Sequence, residues 1–187
     1  MITKKIVAGK YKNKIINLPS LDSTRSTKSI MKESLFNTLQ FDIVGEGFVE
    51  VFGGSGSMGL EALSRGSNHA VFFEKDKKAY NILRENCTRI ACNDTTCIYG
   101  DSFIEFPKYI KQLNKKTFFY FDPPFSIREG MENIYEKTIS LIEMIPKEFS
   151  NLIIVEHMSN QKMPENIGNY SVKKTKKFGK STLTYYI

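Results

Sequence analysis

The sequence predicts a single α/β domain, a mostly parallel sheet with helices on both faces. Three observations carry that expectation. From Gly47 onward, β-rich runs alternate with segments of helical periodicity, the pattern of a parallel sheet with crossover helices. The run Phe118-Phe-Tyr-Phe121 is aromatic throughout, as a strand covered on both sides requires. The chain has 187 residues, enough for one domain with a substantial core, and no linker or low-complexity tract divides it.

The elements follow in order. Residues 1–22 read as a basic β-hairpin extension, with two β-rich runs around Gly9-Lys-Tyr-Lys-Asn13. A helix is expected after Thr27, which can cap it, carrying Ile30, Met31, Leu35, Phe36 and Leu39 at helical spacing. Strands are expected at Phe48–Phe52, Ala70–Glu74, Thr95–Tyr99, Phe118–Phe121 and Leu152–Glu156. Between them come helices through Leu60–Leu63, Lys77–Ala91, Phe103–Leu113 and Met131–Ile145. Near the end, Tyr170–Lys174 and Thr182–Ile187 flank "KKFGKS" with no room for a crossover helix. They predict an antiparallel hairpin on the sheet edge.

Composition narrows the function classes. Hydrophobic content of 41% and charged content of 25% are those of a soluble globular protein. The net charge of +7 and pI of about 9.2 favour a polyanionic partner. No stretch approaches the ~20 apolar residues of a membrane span. "MITKKIVAGK" has no apolar signal core, so a cytoplasmic location without membrane association is the default expectation. Cys87, Cys92 and Cys97 lack both CxxC spacing and a nearby histidine, which favours free thiols over a metal site or disulfide.

"EVFGGSGSMG" follows the first strand of the alternating region. Gly54-Ser-Gly56-Ser-Met-Gly59 matches GxGxxG, and Glu74 ends the next strand, where a ribose-binding acid belongs. A dinucleotide site therefore competes with other nucleotide ligands, and a plain tight turn is the bland reading. Glu50, just ahead of Gly53, weighs against a pyrophosphate. It suits a cationic ligand such as the ammonium and sulfonium of S-adenosylmethionine. Too little chain follows for a separate substrate domain. Asp101 in "YGDSF" is a further strand-end acid, able to accept from an adenine amino group, although Gly-Asp is also a turn signal.

"FFYFDPPF" raises the sharpest question. Proline cannot continue a central strand, so the strand ends at Asp122 and Pro123-Pro124 set a stiff corner. An exocyclic base amine is a poor nucleophile, because its lone pair is delocalised into the ring. Asp122 and the Pro123 carbonyl can accept from its two N–H bonds and aim the lone pair at an electrophilic carbon. Phe125 can stack on the base. The competing reading is an ordinary Asp-Pro turn.

These motifs resemble the S-adenosylmethionine-dependent amino-methyltransferases. More closely, they resemble the RsmD-type family that methylates guanine N2 in small-subunit (16S) rRNA. The likeness covers nearly the whole chain. "TRSTKSIMKESLFNTL" is similar to the family's TRPTTDRVRESLFN, "EVFGGSGSMGLEALSRG" to DLFAGSGALGLEALSRGA, and "FFEKD", "GDSF" and "FDPPF" stand in family order. "KIVAGKYKNKIINLP", "VEHM" and "KKFGKSTLTYY" resemble its first and last strands. The resemblance implies a Rossmann-like class I methyltransferase fold with a seven-stranded, mostly parallel sheet. Glu50, Phe52, Gly53, Gly54, Ser55 and Gly56 would line the methionine end of S-adenosylmethionine, Glu74 and Lys75 the ribose, and Asp101 and Ser102 the adenine. Asp122, Pro123, Pro124 and Phe125 would be catalytic. Thr24 and Arg25 match the N-terminal signature and are carried over as cofactor-side or RNA-side contacts. Glu50 replaces the family's Asp, and Gly53 its Ala, which implies a cofactor pocket of altered size.

His69 and His157 read as structural. Lys10, Lys12 and Lys14, with Lys176 and Lys180 near the C-terminus, are expected to flank an RNA path rather than to form only a solvated face. The expected partner is 16S rRNA, free or within an assembling particle, and the protein is expected to act as a monomer. Adenine N6 remains an alternative target. An NAD-dependent oxidoreductase and a non-catalytic RNA-binding domain are alternatives of other classes.

Overall fold

The computed structural model describes residues 2–19, 25–124 and 133–187. A two-stranded ribbon, β1 (Ile2–Lys5) and β2 (Ile15–Leu18), precedes helix α1 (Arg25–Leu39). Then follow β3 (Gly47–Glu50), α2 (Ser57–Ser64), β4 (His69–Glu74), α3 (Lys77–Ala91), β5 (Thr95–Tyr99), α4 (Ser102–Ile110), β6 (Thr117–Phe121) and α5 (Ile134–Glu143). The chain closes with β7 (Ser150–Met158), β8 (Asn166–Ile167), β9 (Tyr170–Phe178) and β10 (Ser181–Tyr186). The main sheet has the order β5-β4-β3-β6-β7-β10-β9-β8. The first five strands are parallel, and β10, β9 and β8 pair antiparallel. The seven strands expected are all present, and the two-residue β8 is an addition at the edge.

Several boundaries differ from the sequence expectation by a few residues, and two of these differences bear on the site. Helix α1 begins at Arg25, so Thr27 lies inside it rather than capping it. Strand β3 stops at Glu50, because the glycines that follow turn the chain away from the sheet. The start of the expected Met131–Ile145 helix lies outside the described residues.

Strand β6 shows why the sheet is covered on both faces. Its five residues are all buried, and period-two alternation sends them to opposite sides. Phe119 and Phe121 join Val49, Phe73 and Phe106 beneath α4 and α5. Phe118 and Tyr120 join Phe48, Ile154, Leu183 and Tyr185 beneath Leu35 and Phe36 of α1. A third cluster holds the N-terminal ribbon, with Ile6 and Ile16 packed on Leu60, Leu63, Phe72 and Leu83.

Buried polar side chains fasten that ribbon, Glu61 and Asn86 foremost, with Ser64 bonded to Ala8 and Tyr11. Glu61 on α2 is fully buried and accepts from the backbone N–H of Val7 (3.0 Å) and Ala8 (3.1 Å). It also pairs with Lys32 of α1 (3.2 Å) and Arg65 (2.9 Å). Asn86 on α3 accepts from Asn17 N–H (2.9 Å) and donates to the carbonyls of Asn17 (2.9 Å) and Ser55 (3.0 Å). One amide thus joins the ribbon to the glycine loop.

Glu61→Ala should cost about 3–5 kcal/mol, because it leaves the buried Lys32 ammonium without its counter-charge and orphans two backbone donors. Urea denaturation measures the loss. Hydrogen exchange at Val7 and Ala8 should accelerate more than at β6; equal acceleration at both would contradict a local anchoring role.

Candidate active site

The strand order reverses between β3 and β6. The segments leaving these neighbours diverge and open a crevice at their carboxyl ends, where open α/β sheets bind ligands. A cavity of about 300 Å³ lies there. Its floor includes Glu50, Phe52, Gly53, Gly54, Ser55, Tyr120 and Asp122; Glu156 of β7 and Lys28 and Lys32 of α1 close one side.

The glycines do different jobs. Gly54 has φ +52°, and a Cβ there would meet no atom within 4 Å, so its backbone faces open space. At Gly59 a Cβ would fall 2.3 Å from the Phe72 ring, so this glycine lets α2 pack on β4. A Cβ on Gly53 would point at Phe72, Phe73 and Leu83 rather than into the cavity. The absent methyl therefore does not enlarge the pocket, contrary to expectation. Gly56 is buried against Leu83 and does not line the cavity.

The strand-end acids are differentiated by their surroundings. Glu50 is buried and accepts from the Gly59 N–H at 2.8 Å. Burial pushes its pKa up to about 8, and the Asp122 charge adds to this, while the Gly59 and Met58 N–H groups and Lys32 oppose it. Asp122 emerges from β6 with Lys28 Nζ at 3.5 Å from its carboxylate. Pro123 is buried beside it and Pro124 half-buried. Glu74 binds the loop itself, accepting from Gly54 N–H (2.8 Å) and Asp76 N–H (2.8 Å). Asp101 caps α4 by accepting from Phe103 N–H (3.0 Å) and pairs with Lys75 (3.6 Å). The Ser102 hydroxyl donates to the Val51 carbonyl (2.5 Å).

The fold thus brings Glu50, Phe52, Gly53, Gly54, Ser55 and Asp122 to one cavity. Glu74, Lys75, Asp101 and Ser102 sit on the adjoining strand ends, outside its lining. Thr24 and Phe125 lie outside the described residues, and Arg25 is described only as the first residue of α1. His157 is buried and bonded to the Thr184 hydroxyl (2.8 Å) and the Met158 carbonyl (2.9 Å), and burial lowers its pKa. His69 contacts Thr96 (2.8 Å). All three cysteines are free, and no group of His, Cys, Asp and Glu among the described residues is placed to hold a metal.

The lysines separate by geometry. The ribbon lies along α2 and α3, and Lys4, Lys5, Val7, Leu18 and Pro19 form part of the cavity wall. Its turn reaches towards the amino ends of the strands: Lys10 N–H donates to the Ser64 carbonyl at the end of α2, and Lys10 Nζ approaches Asp94 ahead of β5 (3.5 Å). Lys10 and Lys14 both sit over the Tyr11 ring, and Lys12 is exposed. Lys176 donates to Ser34 (3.1 Å) and Thr38 (3.4 Å) of α1, whereas Lys180 is exposed at a turn.

Sequence reasoning missed Tyr120, Glu156, Lys28 and Lys32. One signal was present: Tyr120, Asp122 and Glu156 occupy alternate positions on two buried strands, so period two puts them on the face already holding Glu50.

Fold and site together define a methyltransferase-class α/β domain, with a glycine loop after the first sheet strand and an Asp-Pro-Pro corner after the fourth. The family model for "Conserved hypothetical protein 95" matches residues 4–187. The chain belongs to this family, that of the ribosomal RNA small subunit methyltransferase D proteins. It is 31% identical over 139 residues to the Haemophilus influenzae protein of that name, covering 74% of this chain and 69% of the relative. With the Escherichia coli K12 relative of the same name it shares 27% identity over 186 residues, 97% of this chain and 88% of that one. The solved structure "Putative methyltransferase yhhF from Escherichia coli" superposes with a TM-score of 0.76 at 26% identity, covering 98% of this chain and 97% of that one.

Glu50 generates a pH prediction. Its folded-state pKa of about 8 lies above the unfolded value of 4.5, so the folded state holds a proton that the unfolded chain has released. Stability should therefore fall as pH rises from 4.5 through 8, by up to about 1.4 kcal/mol per unit from this group. Glu50→Gln should flatten that slope. Urea denaturation at pH 5.5, 6.5 and 7.5 tests it, and parallel slopes in the two proteins would refute the assignment.

Proposed function

We propose that this protein is an S-adenosylmethionine-dependent methyltransferase acting on the exocyclic N2 amine of a guanine in small-subunit ribosomal RNA. The observation that carries the reading is the meeting of Asp122 with Glu50 and the open backbone of Gly54 around one cavity. The residues fit the cofactor's chemistry. The buried Glu50 carboxyl, which holds its proton in the free protein near neutral pH, would ionise against the cofactor's cationic amino-acid end, and the backbone at Gly54 admits close approach. The cofactor supplies a methyl group on a positively charged sulfur.

The chain's own task is to hold and aim the amine. Asp122 accepts one N–H and the Pro123 carbonyl the other, which turns the nitrogen lone pair towards the methyl carbon. The two prolines keep that carbonyl in place at the strand end. Positive charge that develops on the attacking nitrogen would be stabilised by the Asp122 carboxylate. The N–H proton then leaves through Asp122 or solvent. Phe125 is assigned to stacking on the extruded base.

Asp122→Ala should lower the single-turnover methylation rate by about 10²–10³-fold, the scale for loss of one preorganised electrostatic partner. Cofactor affinity, measured by calorimetry, should change far less. Near-normal turnover would remove Asp122 from the chemistry.

The ribbon's lysines fall in two places, at the cavity wall and at the turn. Replacing Lys4 and Lys5 at the cavity wall with Ala should weaken RNA binding and reduce the salt slope by about 0.7–0.9 for each phosphate that is no longer neutralised. Replacing Lys10, Lys12 and Lys14 should reduce it only if the RNA also runs along the far edge of the ribbon. Filter binding across a salt series distinguishes the two paths.

A further inference from the structure

Glu156 stands out among the buried groups. It is 1% exposed, yet it lines the cavity. Its Oε2 accepts from the Tyr120 hydroxyl (2.5 Å), while its Oε1 has no hydrogen-bond partner among the described residues. A buried acceptor left in this state destabilises the fold, which is the mark of a group kept for a ligand. Lys28 Nζ stands 3.9 Å from that same Oε1 and 3.5 Å from Asp122 Oδ2. One wall thus presents an ammonium, a single available acceptor and the acid assigned to the amine.

We infer that Lys28 and Glu156 read the Watson–Crick edge of the target base and make the site selective for guanine. The inference rests on the base-methylation reading above. Guanine offers, in sequence along that edge, the O6 acceptor, the N1–H donor and the N2 amine. The Lys28 ammonium, on a flexible stem that lets it leave Asp122, matches O6; Glu156 Oε1 matches N1–H, and Asp122 takes an N2 hydrogen. Adenine reverses the first two positions, with a donor at N6 and an acceptor at N1. Its N1 would face a carboxylate oxygen, and its amine an ammonium. A site built to bond one pattern rejects the other because its own buried groups stay unpaired.

The carboxylate's protonation bears on this selectivity. Burial and the Asp122 charge push the Glu156 pKa up to about 7, while Lys28, the Tyr120 hydroxyl and the Ser181 hydroxyl oppose them. The ionised form accepts from guanine N1–H, and the protonated form would donate to an N1 acceptor. Selectivity for guanine therefore increases as pH rises through 7.

The test uses 2,6-diaminopurine, which keeps the N2 amine but carries an N1 acceptor and a donor at position 6. Single-turnover methyl transfer is measured on a synthetic fragment of small-subunit rRNA spanning the methylated position. That nucleotide is guanosine, 2,6-diaminopurine riboside or adenosine. The wild-type protein should methylate diaminopurine about 100-fold more slowly than guanosine, with the gap wider at pH 8 than at pH 6. Glu156→Gln, whose amide can both donate and accept, should slow guanosine methylation and narrow the gap to about tenfold or less. Lys28→Gln should narrow it too. Equal wild-type rates on guanosine and diaminopurine would overturn the inference and leave guanine N2 standing as the target. An equal loss on both substrates in Glu156→Gln would assign Glu156 to structure alone. A wild-type preference for adenosine would instead overturn the guanine reading itself. The wild-type comparison holds even if either variant fails to fold.

Discussion

The parallel pairing of β3 with β6 is the constraint on which the site depends. The two strands are far apart in sequence, and their register places Glu50 opposite Tyr120. That single alignment puts the glycine loop, which leaves β3, across from the Asp-Pro-Pro corner, which leaves β6. On the outer side β4 pairs with β3 and β7 with β6, so Glu74 ends β4 on one flank and Glu156 lies near the end of β7 on the other. A slip of one residue in β6 would exchange its faces, sending Tyr120 towards α4 and α5 and Phe119 towards α1. The aromatic residues of β6 resist such a slip because both faces are packed.

Around that pairing, the chain uses buried polar groups as fasteners rather than as a source of net stability. Glu61 gathers two backbone donors and two cations from three segments, and its neutral replacement would leave each in want of a partner. Asn86 does the same at smaller scale, joining the N-terminal ribbon to the glycine loop through Ser55. The ribbon that these side chains hold contributes Lys4, Lys5 and Leu18 to the cavity wall, with Ile6 and Ile16 packed beneath it.

The cavity concentrates charge in a region of poor solvation. Glu50, Asp122 and Glu156 share it with Lys28 and Lys32, and each acid responds to its own burial. Glu50 and Glu156, the deepest, are both held above the ordinary carboxylate range, and the Asp122 charge raises both further. Asp122 is part-exposed, with an ammonium within 3.5 Å. Carboxylates of one chemical kind thereby sit in different surroundings, two of them buried and the third part-exposed beside an ammonium.

The alternating elements, the glycine loop and the Asp122 corner were legible along the chain before any folding. Those features are local: strand and helix periods, glycine and proline stereochemistry and a short motif are all written within a few neighbouring residues. The family resemblance was legible too, because the motifs stand in order along nearly the whole chain. Whatever depends on contacts between distant segments had to wait for the packed molecule. Packing gave Glu61 and Asn86 their anchoring roles, turned the Gly53 position towards Phe72 and Phe73, and carried Lys10 away from the cavity while leaving Lys5 beside it. It also placed Glu156, an unremarked acid in an apolar strand, beside Asp122 and Lys28. Nothing local distinguishes that glutamate; its burial, its one unbonded oxygen and its partners exist only once β6, β7 and α1 have packed.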